Sequence, residues 1–451
     1  MNHLAALPGA SVPLAPGVLV LLGDVLARLA DVTDESVQAI VTSPPYLDAR
    51  DYGVPPTAWP EVTYRPRFDL PEVTVPAQTC CLGHEPSLLA YVGHLVLIAR
   101  ELRRVLRRDG TLWLNIGAGY SSGTTSPRKP TTIEGPNVPA SWKGRCHSAR
   151  VTGGLPAKQL IPAPSAACDA LQAEGWFVRN RIAWTKADAK PDSVPDRCTP
   201  AHEPVFLLTR EPQYFFDAHA ISTPAKHSRS GNVRRRKGAE RTAPTRQSDS
   251  VPWAGELAHP RDVWAIPTGR FKGAHFATFP KELARKCVLA GTSELGCCGA
   301  CGAPWRKLLS QSEPINTGGT RRKVADVYER QGATGALVTG EHHARVHVGW
   351  TMTCRCPLAP PVPCVVLDPF AGSGTTLAEA HALGRHALGV DAQPDYVPHM
   401  HERMSEAEGR RALRSLDATT PIRPRKTSGA GGPDPSGPLF AASTPRKAGP
   451  L

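Results

Sequence analysis

At 451 residues, 41% of them apolar, the chain is long enough for one large domain or two ordinary ones around a sizeable core. Lysine and arginine number 53 against 40 aspartates and glutamates, a formal net charge of +13 that favours a polyanionic partner such as nucleic acid. No apolar run reaches the length of about 18 residues that a transmembrane helix needs, and the 12 cysteines, met without a secretion signal, point to a reducing compartment where clustered thiols more often bind metal than form disulfides.

Residues 1–16 read as an unstructured start. The apolar run Gly17-Val18-Leu19-Val20-Leu21-Leu22 has no basic region before it and is cut short by Gly23-Asp24, so it reads as a buried strand rather than a signal peptide. Val25, Leu26 and Leu29 lead to a second apolar strand, Ala39-Ile40-Val41, which runs directly into Thr42-Ser43-Pro44-Pro45-Tyr46. Two prolines after a buried strand make a rigid loop with fixed φ and few donors, and such a loop presents acceptors at a set position. Taken alone, the tetrapeptide reads equally well as a plain turn.

Leu88, Leu89, Val92, Leu95, Val96, Ala99, Leu102, Val105 and Leu106 recur at helical spacing. They predict a long amphipathic helix closed by Gly110 as its C-cap, after Arg103, Arg104, Arg107 and Arg108. Thr111 to Ile116, Trp176 to Trp184 and Pro204 to Leu208 are predicted strands, and Pro280 to Leu289 a helix with proline in its first turn. Segments 54–86, 120–153, 219–260 and 295–360 interrupt this alternation and read as insertions on an α/β core. Residues 417–451, rich in Pro, Gly, Ser, Thr and basic side chains, read as a disordered tail.

Near the C-terminus, Val365-Val366-Leu367-Asp368-Pro369-Phe370-Ala371-Gly372-Ser373-Gly374-Thr375-Thr376 is followed by a helical run and then by His386-Ala387-Leu388-Gly389-Val390-Asp391. This is a strand, a glycine-rich turn, a helix and a second strand ending in an acid. Glycines let the backbone approach a ligand, the helix N-terminus offers unpaired N–H groups, and the terminal acid stands where ribose hydroxyls can donate to it. No Gly-Lys-Ser/Thr follows, which removes the P-loop reading.

Together, Ser43-Pro44-Pro45-Tyr46 and the Asp368 loop resemble the amino-directed (N4-cytosine/N6-adenine) site-specific DNA methyltransferases of restriction-modification systems, in the beta class, where the catalytic loop precedes the cofactor loop. The resemblance covers most of residues 17–405, including Arg104 to Leu114, Arg181 to Lys186, His202 to Phe206 and Gly273 to Pro280. It implies an α/β, Rossmann-like, S-adenosylmethionine-dependent methyltransferase fold with circularly permuted motifs and insertions, spanning residues 17–416. It also implies catalytic roles for Ser43, Pro44, Pro45 and Tyr46, the tyrosine stacking on a base flipped out of the duplex. Cofactor contacts would come from Asp24 near the adenine, His275, Phe276, Thr278 and Phe279 at the methionine end, the loop residues Asp368, Phe370, Ala371, Gly372, Ser373, Gly374 and Thr375, and Asp391 on the ribose. Serine at the first loop position favours N4 of cytosine over N6 of adenine.

An exocyclic amine is a poor nucleophile because its lone pair is delocalised into the ring. Acceptors on its N–H groups, from Ser43 Oγ and the Pro44 carbonyl, would concentrate density on nitrogen. Pro363-Cys364 superficially matches the pair used for methylation at carbon, but Cys364 stands at the end of its strand away from the ligand and reads as a buried structural thiol. Target recognition is expected in 219–260, where His227 to Lys237, Arg241 and Arg246 form a basic stretch. Cys298, Cys301, Cys354 and Cys356 read as ligands of a structural zinc that staples the 295–360 insertion, with Cys297 as a substitute. The expected partners are double-stranded DNA, a cognate restriction endonuclease and a second copy in a homodimer, in the cytoplasm at the nucleoid. Two competing readings are an inactive zinc-containing nucleic-acid-binding protein and an enzyme acting on RNA or a protein amide.

Overall fold

A computed structural model describes residues 11–47, 53–121, 155–189, 191, 194–224, 257–268, 279–311 and 345–419. The chain divides into two compact units, Met1–Arg411 and Ala412–Leu451. In the first unit, the elements up to the third helix are β1 (Ser11–Ala15), β2 (Val18–Leu22), α1 (Val25–Ala30), β3 (Val37–Thr42), β4 (Thr57–Trp59), β5 (Val62–Tyr64), β6 (Val73–Val75), β7 (Gln78–Cys80), α2 (Leu88–Val105), β8 (Leu106–Asn115) and α3 (Ala163–Ala173). There follow β9 (Phe177–Thr185), β10 (His202–Thr209), β11 (Thr223–Pro224), β12 (Leu257–Ala258), β13 (Val263–Ala265), α4 (Lys281–Gly291), β14 (Cys297–Cys298), β15 (Trp305–Gln311), β16 (Arg345–Met352), β17 (Pro361–Val362), β18 (Val365–Asp368), α5 (Thr375–Ala382) and β19 (His386–Asp391). The last helix, α6, is Val397–Thr419.

Nine strands make one sheet in the order β1-β2-β19-β18-β3-β8-β10-β9-β13. Its centre, from β2 to β8, is parallel, and β10 enters antiparallel between β8 and β9. Apolar residues alternate across it as a pleat requires. Phe206 and Leu208 of β10 join a core with α1, α2 and α3, while Val205 and Leu207 join one with α4, α5 and α6. The result is a helix–sheet–helix sandwich. From β3 the chain moves outward to β8, and from β18 it moves the opposite way to β19, so the carboxyl ends of β3 and β18 meet at a topological switch point. A crevice opens there in sheets of this kind, and ligands bind in it.

Two sequence expectations change, and one unexplained segment gains a structure. Ser11–Ala15 is an edge strand paired antiparallel with Val18–Leu22, with a bulge between Pro13 and Ala15; Leu14 supplies the buried contact that an unstructured start would lack. Helix α2 stops at Val105, and Gly110 lies inside β8 rather than capping the helix. The cause is Leu106, which takes extended φ/ψ and, fully buried, pairs with Val37. The 54–86 segment, unexplained by the sequence, is a nested ribbon in which β4 pairs with β7 and β5 with β6. Its Trp59, Val62, Tyr64 and Val75 are buried in the core shared with α2, and the Tyr64 hydroxyl donates to the Leu89 carbonyl. Trp59 stacks on His94 with ring centroids 4.3 Å apart, and His94 Nδ1 lies 2.9 Å from Glu85 Oε1, both side chains fully buried.

Candidate active site

The apolar strand β3 delivers Ser43-Pro44-Pro45-Tyr46 to the switch point, and β18 delivers Asp368 beside it. Thr42 Oγ1 donates to Asp368 Oδ1 at 2.7 Å, a buried bond that joins the two loops. The Phe370 N–H also donates to Asp368 Oδ1, at 3.1 Å. Burial raises the Asp368 carboxyl to about 7 against these hydrogen bonds.

Behind Asp368, the turn enters α5 through Gly374, whose φ of +78° is the left-handed conformation that only glycine adopts without strain. The Gly372 N–H donates to Asp391 Oδ2 at 2.7 Å, and the Gln393 N–H to Asp391 Oδ1 at 2.8 Å. Desolvation lifts the Asp391 carboxyl to about 7 as well, opposed by these two N–H groups. Pairing of β2 with β19 brings Gly23 N within 2.9 Å of the Asp391 carbonyl, so Asp24 and Asp391 share one edge of the crevice. Asp24 is also the N-cap of α1: its Oδ1 accepts from the Leu26 and Ala27 amides, and its Oδ2 accepts from Thr57 Oγ1 of the ribbon at 2.9 Å.

The Ser43–Tyr46 loop is held from three sides. The Tyr91 hydroxyl of α2 donates to the Pro45 carbonyl at 2.9 Å. Among the described residues no protein donor reaches the Pro44 carbonyl. The Tyr46 ring lies against Gly117, where a Cβ would stand 2.4 Å from the ring carbon Cε2. Ser43 Oγ donates to the Tyr46 hydroxyl at 3.1 Å, and that hydroxyl lies 2.8 Å from Asn115 Oδ1 and 3.0 Å from Glu203 Oε2. Asn115 Nδ2 donates to the Pro204 carbonyl at 3.0 Å. The other Glu203 oxygen is in an ion pair with Lys186, whose ammonium sits 4.7 Å above the Trp184 ring.

The N6/N4 methyltransferase family model, described as DNA methylase, matches residues 37–298 and 364–402. The chain belongs to this family. It is 36% identical over 276 residues to the Type II methyltransferase M.Cfr9I of Citrobacter freundii, covering 61% of this chain and 73% of that one. It is 33% identical over 275 residues to M.SmaI of Serratia marcescens, covering 60% and 75%. Likeness to M.SfiI of Streptomyces fimbriatus is 28% over 421 residues and extends over 85% of this chain and 90% of that one. Membership assigns the chain to the amino-directed DNA methyltransferases, and the sheet with its permuted order of loops is the expected fold.

Within this methylase fold, the structure brings together Asp24, Ser43-Pro44-Pro45-Tyr46, the 368–375 loop and Asp391. Phe279, just before α4, packs against the core that contains α4, α5 and α6, whereas His275, Phe276 and Thr278 lie outside the described residues, as does the basic stretch 227–246. The ends of the 219–260 insertion are described: β11 and β12 pair, Thr223 with Ala258, so the segment leaves and returns at one neck. Cys364 is buried at the start of β18, consistent with a structural thiol.

Cys298, Cys301, Cys354 and Cys356 place their sulfurs within 4.8 Å of one another. The strands that flank residues 312–344 bring the two halves together. Strands β15 and β16 pair from Trp305–Met352 to Gln311–Arg345 and return Cys354 to the Cys298 turn. The Cys301 and Ala300 backbone N–H groups aim at the Cys298 sulfur and lower its thiol to about 7, which suits a metal thiolate. Cys297 turns away, its thiol donating to the Val362 and Pro363 carbonyls. Gln38 ties this knuckle to the amino end of β18, away from the crevice: its Nε2 donates to the Gly302 carbonyl at 3.2 Å, and its Oε1 accepts from Val365 N at 2.6 Å.

Sequence reasoning did not assign Asn115, Glu203 or Lys186 to the site. The available signals were an asparagine ending the apolar strand Leu112–Ile116 and a glutamate opening Pro204–Leu208.

Proposed function

We propose that the chain transfers a methyl group from S-adenosylmethionine to the exocyclic N4 of cytosine in double-stranded DNA. The observation that carries this reading is the direction of the Ser43 hydroxyl. Its proton has acceptors on the inner side, Tyr46 Oη at 3.1 Å and Asn115 Oδ1 at 3.5 Å, so its lone pairs, with the Pro44 carbonyl, are the acceptors on offer to an amine with two N–H groups. A neutral serine in place of an acid is the feature that favours cytosine.

The crevice suits the cofactor by the chemistry of its donors and acceptors. Asp391 and Asp24 would accept from the ribose and adenine side, and the 370–374 backbone would lie along the chain of the amino acid. When bound, S-adenosylmethionine supplies an electrophilic methyl group on a charged sulfur. The protein's part is to orient the amine, withdraw its N–H protons toward acceptors and exclude water. The four-cysteine knuckle would hold a structural zinc, and the insertion between β11 and β12 would read the target sequence. The Type II relatives support a role beside a restriction endonuclease.

The test is to incubate purified protein with labelled S-adenosylmethionine and DNA, digest to nucleosides and identify the labelled base. Label in N4-methylcytosine supports the proposal, and label in N6-methyladenine corrects the base. Absence of label across a broad set of DNAs overturns it. Metal analysis of the same preparation should give about one zinc per chain, lost in Cys301→Ser.

A further inference from the structure

Methylation of an amine leaves a proton that the acceptors on that amine cannot keep. Ser43 and the Pro44 carbonyl are not bases, yet the nitrogen, once it has formed its bond to the methyl carbon, carries a positive charge until one N–H is lost. Close to the loop, the described residues offer one ion-paired carboxylate, Glu203, and it is reached through hydroxyls. Ser43 Oγ donates to Tyr46 Oη at 3.1 Å, and Tyr46 Oη lies 3.0 Å from Glu203 Oε2. Asn115 Oδ1, at 2.8 Å, is the other acceptor facing that phenol, but an amide oxygen cannot retain a proton that a carboxylate can.

We propose that Ser43, Tyr46 and Glu203 form a proton wire, with Glu203 as the terminal acceptor for the proton that the methylated amine releases. The inference rests on the amino-methyltransferase reading above. The N–H electron pair returns to nitrogen and into the ring as its proton passes to Ser43 Oγ. The Ser43 hydroxyl proton moves to Tyr46 Oη, and the Tyr46 proton moves to Glu203 Oε2. The products are a neutral methylated amine, an intact serine and tyrosine, and a protonated Glu203. No oxidant or further reactant is required. Both hydroxyls end with one proton each, as they began.

The surroundings fit a sink rather than a simple brace. Lys186 faces the opposite oxygen of Glu203 and leaves Oε2 turned toward the Tyr46 hydroxyl, so the carboxylate polarises both hydroxyls toward itself before the proton moves. The Glu203 and Lys186 side chains each keep 19% of their surface in solvent, an exit by which the proton leaves after turnover. Asn115, fixed by its bond to the Pro204 carbonyl, holds the phenol in line. The tyrosine thus carries two duties in one residue: its ring offers a face to the base, and its hydroxyl is the middle link.

Glu203→Gln keeps the shape and one acceptor but removes the sink; Tyr46→Phe keeps the ring and cuts the middle link. In single-turnover methylation each is expected to slow transfer about 10²-fold, with S-adenosylmethionine binding by calorimetry unchanged. The double variant should be no slower than the slower single one, because both cut the same wire. A readout without turnover is the ring 13Cζ resonance of Tyr46, identified by its loss in Tyr46→Phe, which should move in Glu203→Gln. Glu203→Gln within twofold of a methylating wild type, or independent multiplicative losses in the double variant, would overturn the route alone. A wild type that methylates no DNA amine would overturn the substrate reading and the route with it.

Discussion

The two loops at the switch point are held in place by different means. In the 368–375 loop, the backbone N–H groups find acids near in sequence, Phe370 N one 2 residues away and Gly372 N one 19 residues on, and only the Asp368 side chain reaches far, to Thr42. In the Ser43–Tyr46 loop, the Tyr46 hydroxyl is oriented by Asn115, 69 residues away, and Glu203, 157 residues away. A locally satisfied loop is a self-contained unit, whereas a loop satisfied at long range takes its geometry from the finished sheet. The first should therefore fail by losing its ligand, the second by losing rate.

The widest separation of the two behaviours is expected for Tyr46→Ala, which should reduce transfer by about 10³-fold while calorimetric affinity for S-adenosylmethionine stays near wild type. Equal loss of both would show that the loops do not act separately. Next comes the acid that joins them. The Asp368 carboxyl is raised to about 7 by burial, above its unfolded value, so the folded state binds more protons than the unfolded state between these values. Its contribution is most favourable below the unfolded value and is lost as pH rises toward and through about 7. Asp368→Asn, which retains an acceptor for Thr42 and Phe370, should stabilise the protein at pH 8 by roughly 2–4 kcal/mol and leave it unchanged in mild acid, read as denaturant midpoints at the two pH values. Asp391 shares the direction, but it is half-buried, so water offsets part of its penalty.

Thr42→Val removes the bond between the loops and leaves a buried acid with fewer partners. A loss of about 1–3 kcal/mol is expected, together with slower transfer, since this bond joins the two loops. The smallest effect belongs to Gly374→Ala, where a Cβ in the left-handed conformation costs about 1–2 kcal/mol and presses on Met400 Cγ, 3.1 Å away. It should weaken cofactor binding more than it slows single-turnover transfer. The reverse order would contradict the division between the loops.

The same division explains what could be read in the sequence. The Asp368–Thr376 turn and Asp391 were legible because strand, turn, helix and acid follow one another, with the backbone N–H bonds of the turn inside the segment. Ser43-Pro44-Pro45-Tyr46 was legible as a rigid loop, but not the residues that aim its tyrosine, since nothing local marks Asn115 or Glu203 as its partners. The cysteine knuckle was half legible: Cys298-Gly299-Ala300-Cys301 has the form of a metal turn, whereas Cys354 and Cys356 depend on the β15–β16 hairpin that carries them back. The 54–86 ribbon was opaque because its strands are three residues long, too short to show a period, and its packing against α2 is tertiary. Leu106 misled in the same way. It continues the helical repeat, and only its pairing with Val37 turns it into a strand.

The order β2-β19-β18-β3 has a consequence for how the molecule is made. A chain emerging from the ribosome releases β2 and β3 early but must leave a gap two strands wide between them, to be filled by the β18–β19 pair more than 320 residues later in the chain. Until then two central strand edges stand open, and Thr42 has no Asp368 to meet. Assembly of the crevice is thus the closing event of folding, and an unfinished chain has no partial enzyme to offer its DNA. Nascent chains stopped before Val365 should be cleaved by protease within β3, and chains released beyond α6 should resist.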